Sequence, residues 1–410
     1  MTSDPISRRA AAIRDLPSFR VVADFYARST LTQRRGDPSA IDFTFGNPHE
    51  MPPSAYVETL RAAMEPRDKD WFAYKDHVRS AQDAAAAGLR RLLGLPFEPE
   101  DILLTTGGFT ALAAVMKVVA DPGDAVIFSL PPWFLYEPLA VECGLVPVRV
   151  RVDRETLDLD VAAIEAAITP RTRIVVVNTP NNPTGRVYPP ETLRRLAGVL
   201  DAASARIGRR IYLLSDEPYN RLVFDGARFH SPAEFYPFTF IAYSYGKTHL
   251  SPGQRLGYAA LPPDMPDREA LRQAIFAIQV VSGWTFPNAV MQYALPRLEQ
   301  FSTDIERLQR RRDRLVDALS GMGYRVLRPE GTFYLFPRSP LADDRAFTDR
   351  LAQRDIFVLP GAMFETPGFF RISLTANDDM VERSLPGFAA AIADVGRDAD
   401  TADAWPLAGG

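Results

Sequence analysis

The chain has 410 residues, 46% of them hydrophobic and 24% charged, and a net charge of −4. That length can bury a large core spread over two or three structural units, and the composition is that of a soluble globular protein. With 47 basic against 51 acidic residues there is no basic surplus for nucleic acid or an anionic membrane, one cysteine (Cys143) allows no intrachain disulfide and fits a reducing cytoplasm, and no run reaches the roughly 20 apolar residues of a membrane span.

Near the start, Arg8-Arg9 has the look of an export signal. The apolar run Ala10 to Ile13 is too short for one, and Arg14-Asp15 breaks it. From about residue 100 the chain alternates short apolar runs with helical patterns. Ile102–Thr105 reads as a strand, followed by a helix from about Ala111; Asp124–Phe128 follows a Pro-Gly turn. Arg173–Val177 is a continuous β-branched run, the pattern of a strand buried on both faces. A helix over Glu191–Ser204 and strands at Ile211–Ser215 and Phe240–Tyr243 complete the pattern of a mostly parallel α/β sheet. Beyond it, Glu299–Leu319 reads as one long Arg-rich helix. Strands are predicted at Tyr324–Leu327, Phe333–Phe336, Ile356–Leu359 and Phe369–Leu374, giving a smaller α+β unit, and Asp398–Gly410 reads as a frayed tail.

Parallel α/β sheets bind ligands outside the carboxyl ends of their strands, and the motif-bearing segments start there. After Thr105 comes Thr106-Gly107-Gly108-Phe109-Thr110, where glycine lets backbone N–H groups approach an anion at a helix N-terminus. After Leu130 comes Pro131-Pro132-Trp133, and after Val177 the string Asn178-Thr179-Pro180-Asn181-Asn182-Pro183-Thr184-Gly185, whose prolines fix an asparagine in one orientation. Ser215 leads into Asp216-Glu217-Pro218-Tyr219. Phe240–Tyr243 leads into Ser244-Tyr245-Gly246-Lys247, with Arg255 following a Pro-Gly turn. A lysine held on rigid backbone beside a second cation suits Schiff-base chemistry, whereas a free amine, with a pKa of about 10.4, is protonated and inert at neutral pH.

Taken in order, these strings resemble the class I/II pyridoxal-phosphate (PLP) aminotransferases, the fold-type-I group similar to aspartate aminotransferase, over about residues 40 to 390. The resemblance implies a mostly parallel, seven-stranded-type sheet with helices on both faces, plus a smaller α+β domain. It implies that Lys247 carries the cofactor aldehyde and shuttles the substrate proton. Asp216 would hold the pyridine nitrogen protonated, and Tyr219 and Asn182 would bond its phenolic oxygen. Trp133 would stack on the ring. Ser244, Arg255 and the backbone of Gly108 and Phe109 would bind the phosphate, although Phe109 stands where many relatives have a polar side chain. Arg371 in Gly368-Phe369-Phe370-Arg371-Ile372-Ser373, with Gly46 and Asn182, would receive the substrate carboxylate. Tyr74, aligned by spacing alone, and Thr285 would reach the partner's site in a homodimer.

The organisation expected is an N-terminal arm at 1–45 that also forms part of the small domain, a large PLP-binding domain at 46–290, a small C-terminal domain at 291–395 and a tail at 396–410. The reaction implied is transfer of an amino group from an L-amino acid to a 2-oxo acid, in the cytoplasm and with no metal. Lyase, replacement, cyclase or oxidase chemistry on the same fold is the alternative, and a degenerate binding module a third. No arginine stands between Ala274 and Thr285 for a side-chain carboxylate, and Phe276, Trp284, Phe286 and Trp133 lean towards an apolar or aromatic substrate.

Overall fold

The computed structural model describes residues 5–34 and 36–399. Twelve strands appear among them: β1 (Ile41–Asp42), β2 (Ile102–Thr105), β3 (Ala125–Leu130), β4 (Val146–Arg151), β5 (Thr172–Asn178), β6 (Tyr212–Asp216), β7 (Thr239–Ser244), β8 (Gly257–Ala260), β9 (Tyr334–Leu335), β10 (Ile356–Phe357), β11 (Leu359–Pro360) and β12 (Phe370–Ser373). Seven form one sheet in the order β2-β8-β7-β6-β5-β3-β4. All neighbours from β4 to β7 run parallel, and β8 runs antiparallel to both β7 and β2.

The sheet is buried on both faces because its apolar residues point alternately up and down. In β5, Ile174 and Val176 face the helices Gly108–Val119 and Arg268–Val281, while Val175 and Val177 face the helices Val161–Ala167 and Pro190–Ile207. On that second face, helices Arg79–Leu93 and Ala289–Leu298 cover β7 and β8. The rest of the chain's sheet structure is small. β1 pairs in parallel with β10, and β11-β12-β9 form an antiparallel sheet around a core that includes Phe333, Phe347, Phe370 and Phe388. Among the described residues no helix is long and apolar enough to cross a membrane.

Several expectations need correction. The helix predicted from Glu299 begins at Ile305, because the Asp304 side chain accepts from the Arg307 N–H and caps it; Glu299 closes the preceding helix. Tyr324–Leu327 forms no strand: the Tyr324 N–H is spent on the Leu319 carbonyl at the end of the preceding helix, and the one backbone bond to a neighbouring segment runs from the Arg338 N–H to the Arg325 carbonyl. Helix extends through 396–399, where the tail was expected, and the remainder of the tail lies outside the described residues. Cys143 is half-buried, and burial raises its thiol to about 12.

Candidate active site

The carboxyl ends of the parallel strands open into a cavity of about 340 Å³. Lys247, Asp216, Tyr219, Asn182, Ser244 and Arg255 all line it, as do Gly108, Phe109, Trp133, Gly46 and Arg371. Tyr74 does not: it is fully exposed, in a separate groove of about 430 Å³ that it shares with Thr285.

Lys247 sits on a one-turn helix (Tyr245–Thr248) directly after β7. Its amine has no carboxylate partner among the described residues and lies 6.0 Å from the centre of the Phe333 ring. Asp216 is the last residue of β6 and is buried. The Tyr136 hydroxyl donates to its carboxylate, and Asn178 Nδ2 donates to its backbone carbonyl at 2.8 Å. Burial lifts the Asp216 carboxyl from 3.8 to about 7, against the opposing pull of the Tyr136 hydrogen bond and the Lys247 charge. A buried carboxyl so placed favours a protonated ring nitrogen or another cationic donor beside it.

At the other end, three backbone segments meet. Gly107 has φ 86° and leads into the helix Gly108–Val119. A Cβ on Gly107 would lie 2.6 Å from Arg255 Nη2, so the guanidinium packs directly on the turn. A Cβ on Gly257 would meet the Tyr243 carbonyl at 2.2 Å and the Gly107 backbone at 2.8 Å. The result is a helix N-terminus, the Ser244 hydroxyl and a guanidinium with no carboxylate partner among the described residues, an arrangement that attracts an anion. The hydroxyl of Thr110, next to Phe109, is spent locally on the Gly107 carbonyl at 2.9 Å.

Arg371 occupies β12 and is 2% exposed. Its Nη1 donates to Asn182 Oδ1 at 2.8 Å and its Nη2 to the Thr44 carbonyl at 2.6 Å, while Nε has no partner. It lies 4.0 Å over the Tyr334 ring. Burial lowers its pKa, yet no carboxylate neutralises it among the described residues. A buried guanidinium held only by neutral acceptors is a receptor for a carboxylate. Gly46 borders it, and a Cβ there would come within 2.5 Å of the Phe333 ring.

Four lining or supporting side chains escaped sequence reading. Tyr136 and Asn178 orient Asp216; Asn178 stood inside a string already singled out, and Tyr136 lies three residues beyond Trp133. Tyr334 shares a hydrogen bond with Tyr219. Burial pushes both phenols up and holds Tyr219 well above its usual value, whereas at Tyr334 the charges of Arg371 and Lys247 outweigh burial and hold that phenol below its usual value. Tyr26, from the helix Pro17–Arg28, stacks on Phe45 at 5.4 Å across the cavity mouth. No motif marked either. Phe276 and Phe286 stack on each other outside this cavity, and Trp284 packs against the core under the helix 268–281, so the aromatic wall consists of Tyr26, Phe45, Phe109, Trp133 and Phe134 instead.

The description aminotransferase class I and II matches residues 39–386. The chain is 33% identical to the aspartate/prephenate aminotransferase of Thermus thermophilus, over 94% of this chain and 98% of that protein. It is 30% identical to the aspartate aminotransferase of Rhizobium meliloti, over 89% and 92%. Among solved structures it is similar to an aminotransferase from Eubacterium rectale, with a TM-score of 0.87 at 26% identity over 95% and 99% of the two chains. The Thermus thermophilus aspartate aminotransferase with maleate gives a TM-score of 0.81 at 30% identity, over 94% and 99%. With the sheet, the strand-end cavity and the sequence in agreement, the chain belongs to the class I and II aminotransferases.

Proposed function

We propose that this aminotransferase works with PLP held at Lys247, in a homodimer whose subunits share their sites, and that its amino donor carries an apolar or aromatic side chain. One observation carries the reading. A single cavity sets an amine, a buried carboxyl and a free anion seat around a space bordered by an aromatic wall, with a buried, unneutralised arginine facing it. PLP matches that donor set: its phosphate suits Arg255, Ser244 and the Gly108 helix end, its pyridine nitrogen suits Asp216, and its flat ring suits Trp133. Bound there, PLP supplies a carbonyl that condenses with an amino group and a ring that accepts electron density when the α-carbon loses its proton.

The chain's own groups do the rest. Arg371 grips the α-carboxylate with Nε, which is unpartnered, and with an Nη edge, while Asn182 and the Thr44 carbonyl hold its orientation. Lys247, on the one-turn helix after β7, would act as general base for the proton on the substrate α-carbon and, once protonated, as the general acid that gives it back. Tyr219, a donor beside Tyr334, bonds the phenolic oxygen. The aromatic wall keeps water away from the exchanged proton and receives the substrate side chain. Among the described residues Arg371 is the only arginine besides Arg255 on the lining, and a second carboxylate on the donor finds no dedicated guanidinium among them. The relatives named for aspartate and prephenate make an acidic amino donor and a ring-bearing 2-oxo acid acceptor the natural comparisons.

The shared site rests on Tyr74 and Thr285. They lie in one open groove with Phe72, which is 61% exposed, an apolar face of the kind subunit interfaces cover.

The deciding experiment adds single amino acids to the yellow protein without an acceptor. Conversion of the cofactor to its amine form, reversed by a 2-oxo acid and fastest with aromatic donors, supports the reading. Release of ammonia or a side-chain fragment with the cofactor unchanged would sink it.

A further inference from the structure

A second cleft, with a volume of about 640 Å³ against about 340 Å³ for the Lys247 cavity, lies where the end of β4 meets the loops beside β9 and β12. Its floor is apolar, formed by Leu130, Val152, Leu157, Tyr324, Phe369 and Ile392. Arg151, Arg154, Arg325 and Arg338 border it, and no carboxylate lines it. Among the described residues only Arg338 of these four has an acidic partner, Glu155 at 3.7 Å, which is 86% exposed. Three of the four, Arg154, Arg325 and Arg338, also line an adjoining cavity of about 330 Å³.

This departs from the chain's habit. On the nearby helix Ile305–Gly321, Arg307, Arg311, Arg312 and Arg314 each hold a carboxylate. Arg151, Arg154 and Arg325 share this apolar cleft with no acidic partner among the described residues; like charges repel one another, and an anion bound among them relieves that repulsion. The floor asks for a flat apolar body, the rim for negative charge.

The walls also lead straight to the active site. Leu130-Pro131 runs on to Trp133, and Gly368-Phe369 runs on to Arg371 in β12. We propose that this cleft is an effector site for an organic anion with an aromatic body and at least two negative charges, and that its occupancy is thermodynamically linked to binding of the amino donor. An occupant clamps the strand end before Trp133 to the loop before Arg371, and so biases the distance between the ring-stacking wall and the carboxylate grip.

Phenyl phosphate serves as the probe, since it carries a ring and a dianion and cannot transaminate. Titrated by calorimetry into the cofactor-loaded protein, whose own phosphate seat is then filled, it should bind once per chain. The double variant Arg154→Gln/Arg325→Gln should bind it about tenfold more weakly or worse, and keep the basal kcat. In the wild-type protein the probe should move the KM of the amino donor by about twofold or more, and in the double variant it should not. Absence of saturable binding, equal binding to both proteins, or binding that leaves KM unmoved would each overturn the proposal. Failure of the PLP reading is a different observation: a protein that stays colourless with added cofactor.

Discussion

Arg371 holds a fixed charge where water scarcely reaches, and neutral oxygens alone support it. Replacement by lysine keeps the charge but loses the planar fork. Arg371→Lys should therefore lower kcat/KM for the amino donor by about 100-fold while cofactor affinity, read from the visible absorbance, stays near wild type. Equal losses in both would place the arginine on the cofactor instead. Lys247→Ala should abolish turnover and the covalent trapping of cofactor by borohydride; trapping that survives would assign the Schiff base to another lysine.

Asp216 allows a test that needs no turnover. Its carboxyl titrates at about 7 in the folded chain against an ordinary 3.8. Between those values the native cofactor-free protein keeps a proton that the unfolded chain has released, so this group's contribution to stability falls as pH rises through the window. Asp216→Asn removes that fall. The cofactor-free variant should be more stable than wild type at pH 8 by on the order of 4 kcal/mol, and the gap should close towards pH 4. Urea unfolding across that range measures it; a gap that does not change with pH would mean that the carboxyl is not desolvated. Turnover should fall by several orders of magnitude in the same variant.

Among elements, the antiparallel strand β8 is what holds the anion seat closed. Gly257 faces the Tyr243 carbonyl on one side and the Gly107 turn on the other, with backbone in both directions and nothing flexible to yield. Gly257→Ala should cost about 2–3 kcal/mol of stability and weaken PLP binding, whereas Gly253→Ala, with nothing within 4 Å of the added carbon, should do neither. Thermal melts with and without cofactor separate the pair; equal behaviour would deny the close approach.

β8 also shows what the sequence kept hidden. Gly257-Tyr258-Ala259-Ala260 lacks β-branched residues, and only its partners make it a strand. β4, Val146-Pro147-Val148-Arg149-Val150-Arg151, is an edge strand whose proline and exposed arginines mask its pattern. Strands buried on both faces, β5 above all, were legible from their unbroken apolar runs. Site residues on loops that follow such strands were legible too, because motif and strand end coincide. Tyr334 and Tyr26 were not: each comes from a distant segment whose only qualification is where the fold delivers it. The same limit explains the misread aromatic wall, since Phe276 and Trp284 are near the site in sequence pattern but not in space.

At the scale of the whole molecule, Tyr74 and Thr285 belong to a surface that one chain leaves open. On the shared-site reading, mixing inactive Lys247→Ala chains with impaired Tyr74→Phe chains should restore part of the activity, because one hybrid site in each pair has both residues intact. Sedimentation checks the premise, and an active monomer would refute it.

The carboxylate grip has a further consequence, for synthesis. Thr44 and Arg371 are separated by 327 positions, and the bond between them joins an early segment to a late one. β1 and β10 are stitched together in the same way. On the ribosome the lysine-bearing strand emerges well before the arginine exists. A chain that ends before residue 371 therefore lacks the carboxylate grip whatever else it has folded, and substrate recognition has to wait for the last part of the polypeptide.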